Sequence, residues 1–193
     1  MARPKAFDPD QVLDKAMEMF WSRGYKNTSM QDLVDCMCIN RGSLYDTFGD
    51  KHALYLKALN RYMEKNSIRM LAADDDGHPA REVIRGLLYH LAEEKNCDSD
   101  QRGCFITNTI CELCSCDSDV AQTMQQGLAR MQGALEEILE GGRRSGEFAA
   151  DLDCHAAAGF FLNTIHGMQV MRKVQPDPAI LKSIADQAVG ILR

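Results

Sequence analysis

The sequence predicts an all-α protein. Apolar residues recur at helical spacing along nearly the whole 193-residue chain, and no segment alternates with the period of two that a half-buried strand needs. Pro, Gly, Asp, Asn and Ser stand where helices would start and stop. With 45% hydrophobic residues, the chain can bury a substantial core in one or two domains. It carries no internal repeat and no low-complexity tract.

Asp8 and Pro9 open the first helix, Val12, Ala16, Met19 and Phe20 supply its apolar side, and Gly24 stops it. Thr28 or Ser29 caps the second, whose buried stripe is Met30, Leu33, Val34 and Met37. After a turn at Cys38 and Ile39, Asn40 caps a short third helix over residues 41 to 47. Asp50 caps the fourth, with Leu54, Ala58, Leu59 and Tyr62 inward; it runs to about Ala73, where an acidic DDDG ends it. Further helices are expected over about 79–95, 102–115, 118–144, 153–173 and 177–192. GGRRSGEF at 141–148 and the prolines 176 and 178 mark the last two junctions.

The bulk properties exclude some classes. No run of about 18 apolar residues offers a membrane span, and the N-terminus lacks the apolar stretch of a secretory signal, so a cytoplasmic protein with reduced thiols is expected. The net charge of −6 is unevenly placed. Residues 1–65 carry 10 Lys/Arg against 9 Asp/Glu, and the remainder 12 against 19, so the acidity lies almost wholly in the larger C-terminal part. An acidic protein can still bind DNA through a locally basic face, because counterion release depends on the charges at the contact.

The stretch NRGSLYDTFGDK, residues 40–51, has the division that such a face requires. At about 100° per residue, Leu44 and Phe48 fall on one side of the short helix, with Gly42 and Asp46 opposite, flanked by Ser43 and Tyr45. Two apolar anchors lock such a helix to its neighbours, and Gly42 permits close backbone approach. Asn40, Arg41, Ser43 and Tyr45 supply donors to phosphates or base edges. Helix, short turn, helix is the arrangement whose second helix enters the major groove. Lys26 and Thr28 before the second helix and Lys51 at the start of the fourth are placed to grip phosphates. Asp46 either accepts from a cytosine amino group or points to solvent.

FWSRGYKNTS at 20–29 followed by MQDLVDCMCINRGSLYDTFGDKHAL at 30–54 resembles the tetracycline-repressor-like family of transcriptional regulators, over about residues 8–60. The resemblance implies a three-helix DNA-binding domain, residues 1–50, joined by the fourth helix to a helical effector-binding and dimerisation domain, residues 51–193. It also implies a homodimer that binds a palindromic double-stranded operator, usually as a repressor, and releases it when a small molecule enters the C-terminal pocket; no cofactor or resident metal is expected. Carried over, the family's DNA contacts fall on Thr28, Ser29, Asn40, Arg41, Ser43, Tyr45 and Lys51. Cys38 departs from the pattern: it stands where the family usually has glycine, and a left-handed conformation there costs about 1 kcal/mol.

Beyond residue 65 the sharpest feature is RGCFITNTICELCSC, residues 102–116. Cys97, Cys104 and Cys111 repeat every seven residues, which on one continuous helix gives a single face. The RGC segment, with Asn108 and Glu112, resembles the family's electrophile- and oxidant-responsive branch, which makes Cys104 the first candidate thiol sensor. A neighbouring Arg102 would favour its thiolate if the side chains approach. Cys111, Cys114 and Cys116 also offer sulfurs to a metal, and cysteines commonly serve only as small core hydrophobes. A thiol- or metal-based enzyme is the alternative class, unsupported by any Ser/His/Asp order, phosphate loop or HExxH motif. Asn108, Asn163 and His166 with Phe105 and Phe160 could line an effector cavity. The segments 155–171 and 180–191 could form a dimer interface or pack within one chain.

Overall fold

The computed structural model describes residues 7–66, 77–93, 102–175 and 177–193. Among the described residues every regular element is a helix: α1 Pro9–Arg23, α2 Met30–Met37, α3 Arg41–Phe48, α4 Lys51–Lys65, α5 Ala80–Glu93, α6 Phe105–Leu113, α7 Ser118–Ser145, α8 Cys154–Val174 and α9 Pro178–Val189. None of them is long and apolar enough to cross a membrane. The expected end of the fourth helix near Ala73, the DDDG stretch before Gly77, Cys97 and Pro176 lie outside the described residues.

Two compact units emerge, residues 1–65 with 108–124, and residues 66–107 with 125–193. In the first, the caps act as the sequence predicts. The Asp8 carboxylate accepts from the Asp10 N–H, that of Asp50 from the Ala53 N–H, and the Asn40 side chain from the Ser43 N–H. Each satisfies a donor that the first helical turn leaves open. Val12, Ala16, Phe20, Leu33, Met37, Leu44, Phe48, Leu54, Ala58 and Leu59 are buried together with the fully enclosed Tyr55. In α1 the buried methionine is Met17, with Met19 only half-buried; in α2, Met30 and Val34 are half-buried beside Leu33 and Met37.

In the second unit α5, α8 and α9 share one core, containing Ile84, Leu88, Phe161, Ile165, Leu181 and Ala185. The Glu147 carboxylate accepts from the Ala80 and Arg81 N–H groups at 2.8 and 2.9 Å, which closes the start of α5. The helix expected over 102–115 begins only at Phe105. Gly103 stands at φ +66°, outside the helical region, and the Lys173 stem lies where a Cβ on Gly103 would be. Cys104 therefore precedes the helix, and the seven-residue cysteine spacing does not describe one continuous helical face.

Candidate nucleic-acid interface

Helix α3 divides as its sequence requires. Leu44 is wholly buried and Phe48 nearly so, while Arg41, Gly42, Tyr45 and Asp46 are exposed and Ser43 is half-buried. Fully burying each anchor stabilises the helix's seat by about 1.5–3 kcal/mol, and the opposite face is left to partners. The Arg41 guanidinium lies 5.9 Å from the Tyr45 ring centre, so the two largest groups of that face sit side by side.

At the far end of α3, the Lys57 ammonium donates to the Thr47 and Phe48 carbonyls at 3.4 and 3.3 Å. A cation there complements the negative end of the short helix. Nothing in the local sequence of α3 announces this contact, which comes from the next helix.

The turn before α3 keeps the left-handed conformation with a cysteine in it. Cys38 has φ 56° and ψ 39°, and its N–H donates to the Asp35 carbonyl at 3.3 Å.

Three expected DNA contacts have prior engagements. Thr28 is 1% exposed and its hydroxyl donates to the Gly24 carbonyl at 2.7 Å, so it holds the turn rather than reaching outward. Ser29 is exposed, but its hydroxyl and N–H are tied to Asp32 in a reciprocal cap of α2. Asn40 likewise commits its side-chain oxygen to the Ser43 N–H. Lys26 is exposed. The Lys51 ammonium sits 4.2 Å from the Tyr25 ring centre, and burial pushes its pKa down, against the opposing pull of the Glu112 carboxylate.

The contact that sequence reasoning missed in this unit is that of Glu112 with the Tyr25–Lys26 turn. The Glu112 Oε1 accepts from the Lys26 N–H at 2.9 Å and its Oε2 from the Tyr25 N–H at 3.1 Å. Nearby, the Tyr55 hydroxyl meets the Thr109 hydroxyl at 2.9 Å, and burial pushes the Tyr55 phenol up. His52 Nε2 lies 2.9 Å from Asp117.

His52, Asp117 and Asp119 are the one metal-competent convergence among the described residues, and Cys111, Cys114 and Cys116 form none. The nearness of His52 and Asp117 follows from a hydrogen bond to a helix-capping carboxylate, since Asp117 also accepts from the Val120 N–H. Burial, then Asp117 and the neighbouring thiols, raises the Cys114 pKa, away from thiolate chemistry.

The residues expected around an effector are dispersed. Cys104 and Phe105 are buried, and His166 pairs through Nδ1 with the Thr107 hydroxyl at 3.2 Å. Cys111 is exposed on α6, and Asn108 is half-buried within the first unit. Phe160 and Asn163 are exposed on α8, so these two do not face an interior cavity. An open groove of about 620 Å³ between the start of α5 and the end of α7, lined by Pro79, Val83, Ile138 and Glu147 among others, contains none of the expected effector residues.

Comparison with known proteins decides the family. A family model for bacterial regulatory proteins of the tetR family matches residues 12–58, and one for the tetracyclin repressor-like C-terminal domain matches residues 84–188, more than half of the chain. The chain belongs to the TetR family. It is 31% identical over 174 residues to the helix-turn-helix transcriptional repressor ComR of Escherichia coli K12, covering 87% of this chain and 80% of that protein. It is 28% identical over its full length to the whole of YezE, a transcriptional regulator of Bacillus subtilis 168. The TetR regulator CifR, solved as a cysteine mutant with a 26-bp double-strand operator, superposes with a TM-score of 0.84 at 27% identity, each chain covered completely. Reduced NemR of Escherichia coli shares the fold, with a TM-score of 0.82 at 17% identity over 96% of this chain and 98% of that one. As a TetR protein with an intact helix-turn-helix, the molecule is a DNA-binding transcriptional regulator.

Proposed function

We propose that the chain is a homodimeric repressor that holds a palindromic operator and lets go when its C-terminal domain takes up a small molecule or is modified at a cysteine. The exposed face of α3 above its two buried anchors carries this reading. Arg41, Ser43, Tyr45 and Asp46 are the residues for base and phosphate contact, with Asn40 through its free amide end, Gly42 through its backbone, and Lys26 and Lys51 on flanking phosphates. The kinship with the repressor ComR supports repression.

A thiol-switched release has one specific observation in its favour. Cys104 is buried directly before α6, the helix that carries Glu112 beside the Tyr25 turn, so a group added to its sulfur has no room without moving the chain there.

The test enriches binding sites from random-sequence DNA with the reduced protein, then measures fluorescence anisotropy on the winning duplex. An inverted repeat is expected, with Tyr45→Ala and Lys51→Ala each weakening binding about tenfold. Treatment with an electrophile or peroxide should abolish binding in the parent and spare Cys104→Ser. No enriched sequence would overturn the regulator reading; equal loss of binding in Cys104→Ser would remove Cys104 as the switch.

A further inference from the structure

Three polar groups from residues 108–124 fasten onto residues 1–65 within one compact unit: Thr109 on Tyr55, Glu112 on the Tyr25–Lys26 turn, and Asp117 on His52. The middle one differs in kind. The outer two join side chains, whereas Glu112 uses both carboxylate oxygens to hold two successive backbone N–H groups, the pattern of an anion seated in a backbone nest.

The turn is shaped for it. Gly24 ends α1 at φ +79°, and a Cβ added there would stand 2.9 Å from the Glu112 Oε2. A side chain at position 24 would displace the carboxylate from where it now bonds the turn. The turn leads from Lys26 through the buried Thr28 to the α2 cap at Ser29.

We propose that Glu112 is a positioning residue for operator binding: its carboxylate fixes the turn that presents Lys26 and leads into α2, although it touches no DNA itself. The proposal rests on the DNA-contact reading of Lys26 and Lys51 given above.

Charge and geometry predict opposite signs, which makes the proposal sharp. Removing a carboxylate near Lys26 and Lys51 would, by Coulomb attraction alone, tighten binding to DNA, and equally so in Glu112→Gln and Glu112→Ala. Loss of positioning loosens it instead, and more in Ala than in Gln, because the Gln carbonyl still accepts one of the two N–H bonds.

The experiment measures the dissociation constant of parent, Glu112→Gln and Glu112→Ala for the parent-selected duplex across a salt series, with thermal melting of each. Expected are about tenfold weaker binding for Ala, a smaller loss for Gln, and a log–log salt slope about one unit shallower in Ala as the Lys26 contact is lost. Equal or tighter binding with an unchanged slope overturns the proposal, and so does a lower melting temperature with an unchanged constant for the folded fraction. If Ala fails to fold, the Gln variant decides alone by the sign of its change. A parent that selects no duplex defeats the DNA reading itself, a failure distinct from that of Glu112.

Discussion

At the scale of single residues, His166 shows how burial becomes pH dependence. Its Nδ1 meets the Thr107 hydroxyl, while its Nε2 is buried with no hydrogen-bond partner among the described residues, and burial pushes its pKa below the ordinary 6.5. A charged imidazole would leave that N–H donor stranded. Because the folded pKa lies below the unfolded one, the folded state binds fewer protons than the unfolded chain once pH falls through 6.5. The stabilisation is full above pH 6.5 and lost below it, towards the folded value. Melting followed between pH 7.5 and 5 should show the parent losing stability from about 6.5 downward and His166→Gln losing less. Parallel curves for the two proteins would show that the imidazole contributes nothing. Single residues were also where the sequence was hardest to interpret. Thr28 and Ser29 sit in a DNA-binding signature, yet their hydroxyls are used by Gly24 and Asp32, because a short polar side chain before a helix finds the backbone first. Glu112 was invisible as a partner of Tyr25, 87 positions away, since only folding brings the two together.

Elements were far more legible, and the reason is local. Asp8 with Pro9, Ser29, Asn40, Asp153 and Asp177 with Pro178 each stand at an observed helix start, because capping chemistry acts within three residues. The exception is α6, which begins at Phe105, after Gly103 at φ +66° beside the Lys173 stem, and not at residue 102. The turn between α2 and α3 carries a test of its own. Cys38 holds a left-handed conformation that costs a side chain with a Cβ about 1 kcal/mol. Part of a glycine's relief is returned as unfolded-chain entropy, so Cys38→Gly should stabilise the protein by about 0.5 kcal/mol, read as a rise of about 1–2 °C in melting temperature. A fall would mean that the Cys38 sulfur, 3.4 Å from the Asp35 carbonyl, is worth more to the turn than the strain it brings.

For the whole molecule the open matter is how an acidic protein secures DNA. Residues 1–65 carry a net +1, and Glu112, Asp117 and Asp119 bring three negative charges into the same compact unit, leaving it at −2. One such unit has little long-range attraction for a phosphate backbone, so affinity rests on local contacts, which the proposed dimer would double. Helix α8 has a surface that would serve. Phe160, Asn163, Gly167, Val170, Met171 and Val174, spaced one, three or four apart, are all exposed, which places an apolar stripe along one side of the helix. Such a stripe suits a second copy of the chain in the proposed homodimer. Val170→Asp puts a carboxylate into that stripe. It should turn a dimer into a monomer by light scattering and weaken operator binding on the order of a hundredfold, the avidity lost when two linked contacts become one. The melting temperature should move little, because Val170 is 46% exposed in the isolated chain and lies outside its core. A variant that stays dimeric and binds the operator as tightly as the parent would place the pairing surface elsewhere, and α9, with Ile180 exposed, would be the next to change.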